Sequence, residues 1–215
     1  MEEDRGVTVL SSRIERWQLR RGDHIYAWRT GYSHHGIYES DEKVIHFTSA
    51  SAQSSGFFSS SSSAAFSSHS KCREAMRGGG VVVCCLDCFL EGDNLCLFAY
   101  SVSMAFAALS NIGAQDTCSV VDEDPPDTVL RRANDFLDYG GFRSYNVAGN
   151  NCFHFAYYCK TGREYLSPQV VLSILAYVIT YVILSKDIEK GYCEGSLART
   201  SICLFYALRK FIYSS

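Results

Sequence analysis

The stretch Gly149-Asn150-Asn151-Cys152-Phe153-His154-Phe155 decides how the rest of this 215-residue chain is read. A polar turn delivers a cysteine to the start of a segment that reads as helix, Cys152 to Thr161. Asn150 or Asn151 suits the N-cap, because a short amide side chain accepts from the unpaired N–H groups of the first turn. Gly162 suits the left-handed position that closes a helix. A thiol at a helix start meets convergent N–H groups and the positive end of the dipole. That setting is expected to lower the thiol pKa from about 8.5 and raise the thiolate fraction. A buried structural cysteine is the plainer reading, and Cys152 needs partners to outweigh it.

Two histidines supply candidates. Gly22-Asp23 opens a strand with His24-Ile-Tyr26-Ala-Trp-Arg29, and Thr30 to Ser33 turn the chain into a second, His34-His35-Gly36-Ile37-Tyr38. Ser40 to Lys43 turn it again into Val44-Ile45-His46-Phe47-Thr48. Short strands joined by tight turns make an antiparallel meander. Alternate residues share a sheet face, so His34 and His46 are expected to project together and His35 the opposite way, as an exposed strand residue. A thiol nucleophile needs an imidazole base and a polar group to fix its tautomer. His34 suits the base and His46 the orienting group.

The rest of the chain frames this constellation. Hydrophobic residues at 47% against 20% charged describe one well-filled globular core, and the net charge of −3 argues against a general nucleic-acid binder. The charged start Met1 to Arg5 is unlike a signal peptide, so the chain is expected to be intracellular and cytoplasmic with reduced thiols. Residues 1–12 read as a flexible tail and 13–166 as the folded domain. Within it, residues 49–70 carry serine at 12 of 22 positions and read as a flexible surface loop. Val81 to Cys85 and Leu95 to Ser101 read as two more strands. Asp124-Pro125-Pro126 reads as a cap and first-turn proline of a helix whose Val129, Leu130, Ala133, Phe136 and Leu137 share one face. Residues 167–215 read as a hydrophobic C-terminal helical region. Its charge-free run from Val170 to Leu184 would span about 22 Å, short of the ~30 Å hydrocarbon core.

Three motifs together resemble the lecithin:retinol acyltransferase-like family, and most closely its plant branch of NC-domain proteins. They are His34-x-Gly-Ile-Tyr, Val-Ile-His46-Phe, and Asn151-Cys152-x-His-Phe. Arg21 to Tyr26 is similar to the family's strand-opening motif, and Cys85-Leu-Asp-Cys88-Phe-Leu and Tyr158-Cys-Lys-Thr-Gly162 to its plant branch. The resemblance covers roughly residues 14–170. It implies an α+β fold, an antiparallel sheet with packed helices that is a permuted relative of NlpC/papain-like thiol enzymes. It implies acyl transfer from a glycerophospholipid through a Cys152 thioester, with His34 as base and His46 as third member. Tyr26, Asn151 and the Cys152 backbone N–H are the corresponding candidates for oxyanion or substrate positioning. The expected partners are a phospholipid or acyl donor and a membrane surface, with no nucleic acid and no cofactor. A thiol peptidase or amidase and a non-catalytic membrane-associated adaptor are the alternatives. The chain departs from the family at Phe153, where an acidic residue is usual, in its serine loop, and in an upstream cysteine pair reduced to Cys72.

The remaining candidates read as structural. Cys85-x-x-Cys88 has zinc-ligand spacing, but Cys72 lacks a second cysteine nearby, so buried thiols are preferred to a metal. His24 reads as structural, His154 as facing away from Cys152, and His69 carries no role. The apolar run 170–184 is expected to contact a membrane surface, against the alternative of a core helix.

Overall fold

The computed structural model describes residues 12–49, 72, 74–110, 117–147, 149–165 and 176–181. The serine-rich stretch, apart from Ser49, and most of the 170–184 run lie outside these residues. The sheet has five antiparallel strands, β1 (His24–Arg29), β2 (Tyr32–Ser40), β3 (Lys43–Thr48), β4 (Gly80–Cys84) and β5 (Leu95–Leu97). Their order is β4-β3-β2-β1-β5. The meander expected from the turns is therefore present, with β5 closing on β1. β5 is shorter than expected, and the chain continues from it into a parallel bridge, Ala99 to Cys118.

The helices of the first unit, 1–164, include α1 (Leu86–Leu90), α2 (Met104–Ser110), α3 (Pro126–Asp138) and α4 (Cys152–Thr161), and residues 72 and 74–77 are helical as well. α1 and α2 were not legible as helices in the sequence. α3 begins as expected at Pro126, but Asp124 is not its cap: Pro125 holds that position with no side-chain cap. The Asp124 carboxylate instead pairs with Arg132, about two turns further on, at 2.6 Å. An ion pair to a guanidinium that also reaches the Cys159 carbonyl outcompetes capping here, and it ties α3 to α4.

Strand alternation sorts the core onto two faces. Ile25, Ala27 and Val44 face α1, packing with Leu86, Phe89 and Leu90. Ile37, Ile45 and Phe47 face α3 and α4, packing with Val129, Leu130, Ala133, Phe155, Ala156 and Cys159. Each such side chain contributes roughly 1.5–3 kcal/mol when fully buried, so the two layers hold the sheet from both sides. Gly36 lies on the α1 face, where a Cβ would stand 2.8 Å from the Phe89 ring and 3.0 Å from Val44. Only glycine leaves room for Phe89 to close over the strand at this point.

Lys160 fastens the end of α4 to the rest of the unit. Its buried ammonium donates to the Gly22 carbonyl, pairs with Glu123 and lies over the Tyr100 ring at 5.5 Å. A buried ammonium persists only when paired and hydrogen-bonded in this way. In the second unit, 165–215, residues 176–181 are helical and expose Tyr177, Val178, Ile179 and Tyr181. No helix among the described residues is long and apolar enough to cross a membrane.

Candidate active site

Asn151 is the N-cap of α4, accepting from Phe153 N–H at 2.9 Å and His154 N–H at 3.4 Å. Its amide nitrogen donates to the Val147 carbonyl, and His154 reaches back to complete a reciprocal cap. Its carboxamide is thus occupied in shaping the helix start. Asn150 donates to the Ser144 carbonyl, which braces the preceding turn. Gly162 closes the helix at φ +64°, as the sequence indicated.

The cap aims Cys152 at one place in the sheet. β2 pairs with β3 only from Gly36 onward, with Gly36 opposite His46, whereas Tyr32 to His35 pair with β1 alone. The edge of β2 that β3 has left is where the thiol sits. Its Sγ is 3.7 Å from the Ser33 carbonyl, and the His35 N–H on the same edge reaches it as a donor. Cys152 therefore lies level with the backbone, beside the segment Ser33-His34-His35.

His34 and His46 project together from the α1 face, with His34 Nε2 and His46 Nδ1 3.0 Å apart. His46 Nε2 lies 3.3 Å from Cys84 Sγ, so both of its ring nitrogens are engaged. Phe89 covers the pair at 5.1 and 5.7 Å between ring centres. Burial is the first cause that pushes both imidazoles below the usual range, His46 to about 4. The neighbouring imidazole and Arg29 add to the effect on His34, and Arg29 to that on His46. Both rings are neutral near pH 7, the state a general base requires.

His35 does point away from His34, but it is buried and not exposed. The opposite face at that position is covered by α4 and by aromatic rings: Tyr26 stacks on His35 at 5.2 Å and Phe153 meets it edge-on at 5.2 Å. His35 continues a buried chain, Ser33 Oγ to His35 Nε2 at 2.7 Å, His35 Nδ1 to His24 Nε2 at 2.9 Å, and His24 Nδ1 to Tyr100 OH at 2.8 Å. His24, read from the sequence as structural, is fully buried in this chain. Phe153 belongs to this layer, packing with Phe98 and Tyr157. An acidic side chain there would be buried among rings, and a phenyl fits.

The thiol itself behaves differently from the expectation. Cys152 is 3% exposed, and burial raises its pKa. The N–H groups of His35, Phe153 and Cys152 and the Tyr145 hydroxyl pull it down, but burial outweighs them. The helix start alone does not make a thiolate. Tyr145 was not found by sequence reasoning, because it sits in the irregular segment before α4 with no motif around it. Tyr26 hydrogen-bonds through its hydroxyl to Ser12, and its ring serves as the platform for His35.

The chain is 43% identical over 162 residues to Protein LEAD-SENSITIVE 1 of Arabidopsis thaliana. The match covers 71% of this chain and 61% of that protein, so the chain spans about three-fifths of its relative's length. Residues 17–165, which contain the whole sheet, both site histidines and Cys152, match the lecithin retinol acyltransferase family model, and the chain belongs to that family.

Proposed function

We propose that this protein is a thiol-dependent acyltransferase or phospholipase A-type enzyme acting on glycerophospholipid acyl chains. The observations that support the reading are the linked pair His34–His46 and the Cys152 thiol on the β2 edge at Ser33 and His35, the two residues that flank His34 in the strand. His34 Nδ1, the nitrogen not bonded to His46, takes the thiol proton. The thiolate attacks the acyl carbonyl carbon, and the backbone N–H of Cys152 at the helix start is the donor to the oxyanion. Collapse of the tetrahedral intermediate breaks the ester bond, and His34 returns the proton to the departing lysophospholipid oxygen. The thioester then passes its acyl group to water, an amine or an alcohol with His34 again as base. His46 holds His34 in the tautomer that keeps the Nδ1 lone pair available.

The same reading places the reaction at a membrane surface, where such a substrate resides. The exposed Tyr177, Val178, Ile179 and Tyr181 support it, since aromatic and aliphatic side chains partition into the interfacial region. The test is intact-mass analysis after mixing the full chain with phosphatidylcholine vesicles. An acyl adduct on the wild-type chain that is missing in Cys152→Ser is expected. Absence of any adduct, with folded protein that floats with the vesicles, would favour a membrane-associated adaptor that keeps the fold without the chemistry. Cleavage of peptide amides in place of lipid esters would favour the peptidase reading.

A further inference from the structure

Three cysteines outside the candidate active site converge at the corner between β4 and α1. The sulfur atoms of Cys72, Cys85 and Cys88 all lie within 4.8 Å of one another. Cys85 is the N-cap of α1 and Cys88 lies in its first turn, and Cys72 comes from the segment that precedes β4. The Cys85 N–H donates to Cys72 Sγ at 3.4 Å, the kind of amide-to-sulfur bond that a thiolate ligand attracts. All three side chains are only partly buried, so an ion can reach them.

We propose that Cys72, Cys85 and Cys88 bind a zinc ion as thiolates. Tetrahedral bonds of about 2.3 Å place neighbouring sulfurs roughly 3.8 Å apart, so the sulfurs need close in by no more than about 1 Å. Binding releases one proton from each thiol, and three thiolates on a divalent ion leave a net charge of −1. Arg16 lies within electrostatic reach of Cys85, and it suits an anionic site. Three soft sulfur donors select zinc over magnesium or calcium, which prefer oxygen. The fourth tetrahedral position is filled by water or by one further side chain.

The site has a purpose in the fold. It pins the segment before β4, which follows the serine-rich stretch, to the corner where β4 becomes α1. Cys84, the residue next to Cys85, carries its thiol to His46 Nε2. Leu86 N–H, on the other side, donates to the Asp41 carbonyl at the β2–β3 turn. A metal at this corner therefore holds in register the acceptor behind His46 and the Phe89 ring that covers both histidines.

The experiment is metal analysis of the full chain purified without chelator, followed by cobalt replacement. About one zinc per chain is expected, with intense visible d–d bands and sulfur-to-cobalt charge transfer once Co2+ replaces it. Cys85→Ser and Cys88→Ser should lose the metal, while Cys152→Ser keeps it. The cobalt spectrum of the wild-type chain stands even where a variant fails to fold. A wild-type chain that retains less than about a tenth of an equivalent after zinc loading and desalting, with no thiolate–cobalt spectrum, would overturn the proposal. So would a disulfide joining two of the three cysteines in protein purified under reducing conditions.

Discussion

His46 is the residue on which the candidate chemistry turns, because it is bonded at both ring nitrogens. When His34 carries the thiol proton, it is an imidazolium whose Nε2–H must donate to His46 Nδ1. His46 then has its hydrogen on Nε2, and that hydrogen needs an acceptor inside the protein. Cys84 Sγ is that acceptor. Leaving a buried donor unsatisfied costs about 1–3 kcal/mol, so Cys84→Ala is expected to slow formation of the acyl adduct by roughly 5- to 150-fold. Cys84→Ser, which keeps an acceptor, should recover much of that loss. His34→Ala should lose on the order of 10²–10⁴-fold, and His46→Asn less, since it orients and does not take the proton. Time-resolved intact-mass analysis of Cys152 acylation measures all four. Equal rates for Cys84→Ala and wild type would show that the tautomer is fixed by some other group.

The helix α4 carries the site, and its two ends are the elements most open to test. Asn151→Ala removes the cap that aims Cys152 and should lower stability by about 1 kcal/mol, within a range of 0.5–2. Gly162→Ala forces a Cβ into left-handed backbone and to within 2.7 Å of Arg132 Nη2. It should cost roughly 1–2 kcal/mol from the backbone alone, and more if Arg132 releases Asp124. Urea midpoints at constant slope report both losses, and an unchanged midpoint in Gly162→Ala would mean that the helix end rearranges without cost. These ends were legible in the sequence, because caps and closing glycines are local chemistry. The three-strand meander was legible for the same reason, through its turns and alternation, and the His34–His46 pair followed from it. α1 was not, since five residues hold too little periodicity. The vacated edge of β2 was not, since where β3 leaves β2 depends on tertiary packing around Phe47 and Tyr145. The Cys72 half of the thiol cluster was not legible either, since no second cysteine stands near it in sequence and only the fold brings it to Cys85 and Cys88.

At the scale of the whole molecule, the sheet encloses four neutral imidazoles, and this sets how the protein responds to acid. His24, His34, His35 and His46 all have pKa values held below the ordinary 6.5, with burial as the first cause in each case. His35 is held at about 3 and His46 at about 4. Above pH 6.5 the rings are neutral in both the folded and unfolded chain, and they do not change stability with pH. Below it the unfolded chain binds protons that the folded chain refuses, so stability is lost as pH falls toward the folded values. Each ring contributes a slope of up to about 1.4 kcal/mol per pH unit, and His46 alone amounts to about 3 kcal/mol by pH 4. His35 acts by a similar amount and His24 and His34 in the same direction, so much of the 5–15 kcal/mol typical of a domain is lost over this range and unfolding is expected as pH falls below about 5. Melting temperature measured from pH 8 to pH 5 should be level down to about 6.5 and then fall steeply. His35→Asn, which removes one titrating ring from the buried chain, should start from a lower melting temperature and fall less steeply. A melting temperature that stays level to pH 5 would mean that the folded protein takes up these protons, and that water enters the layers on both faces of the sheet.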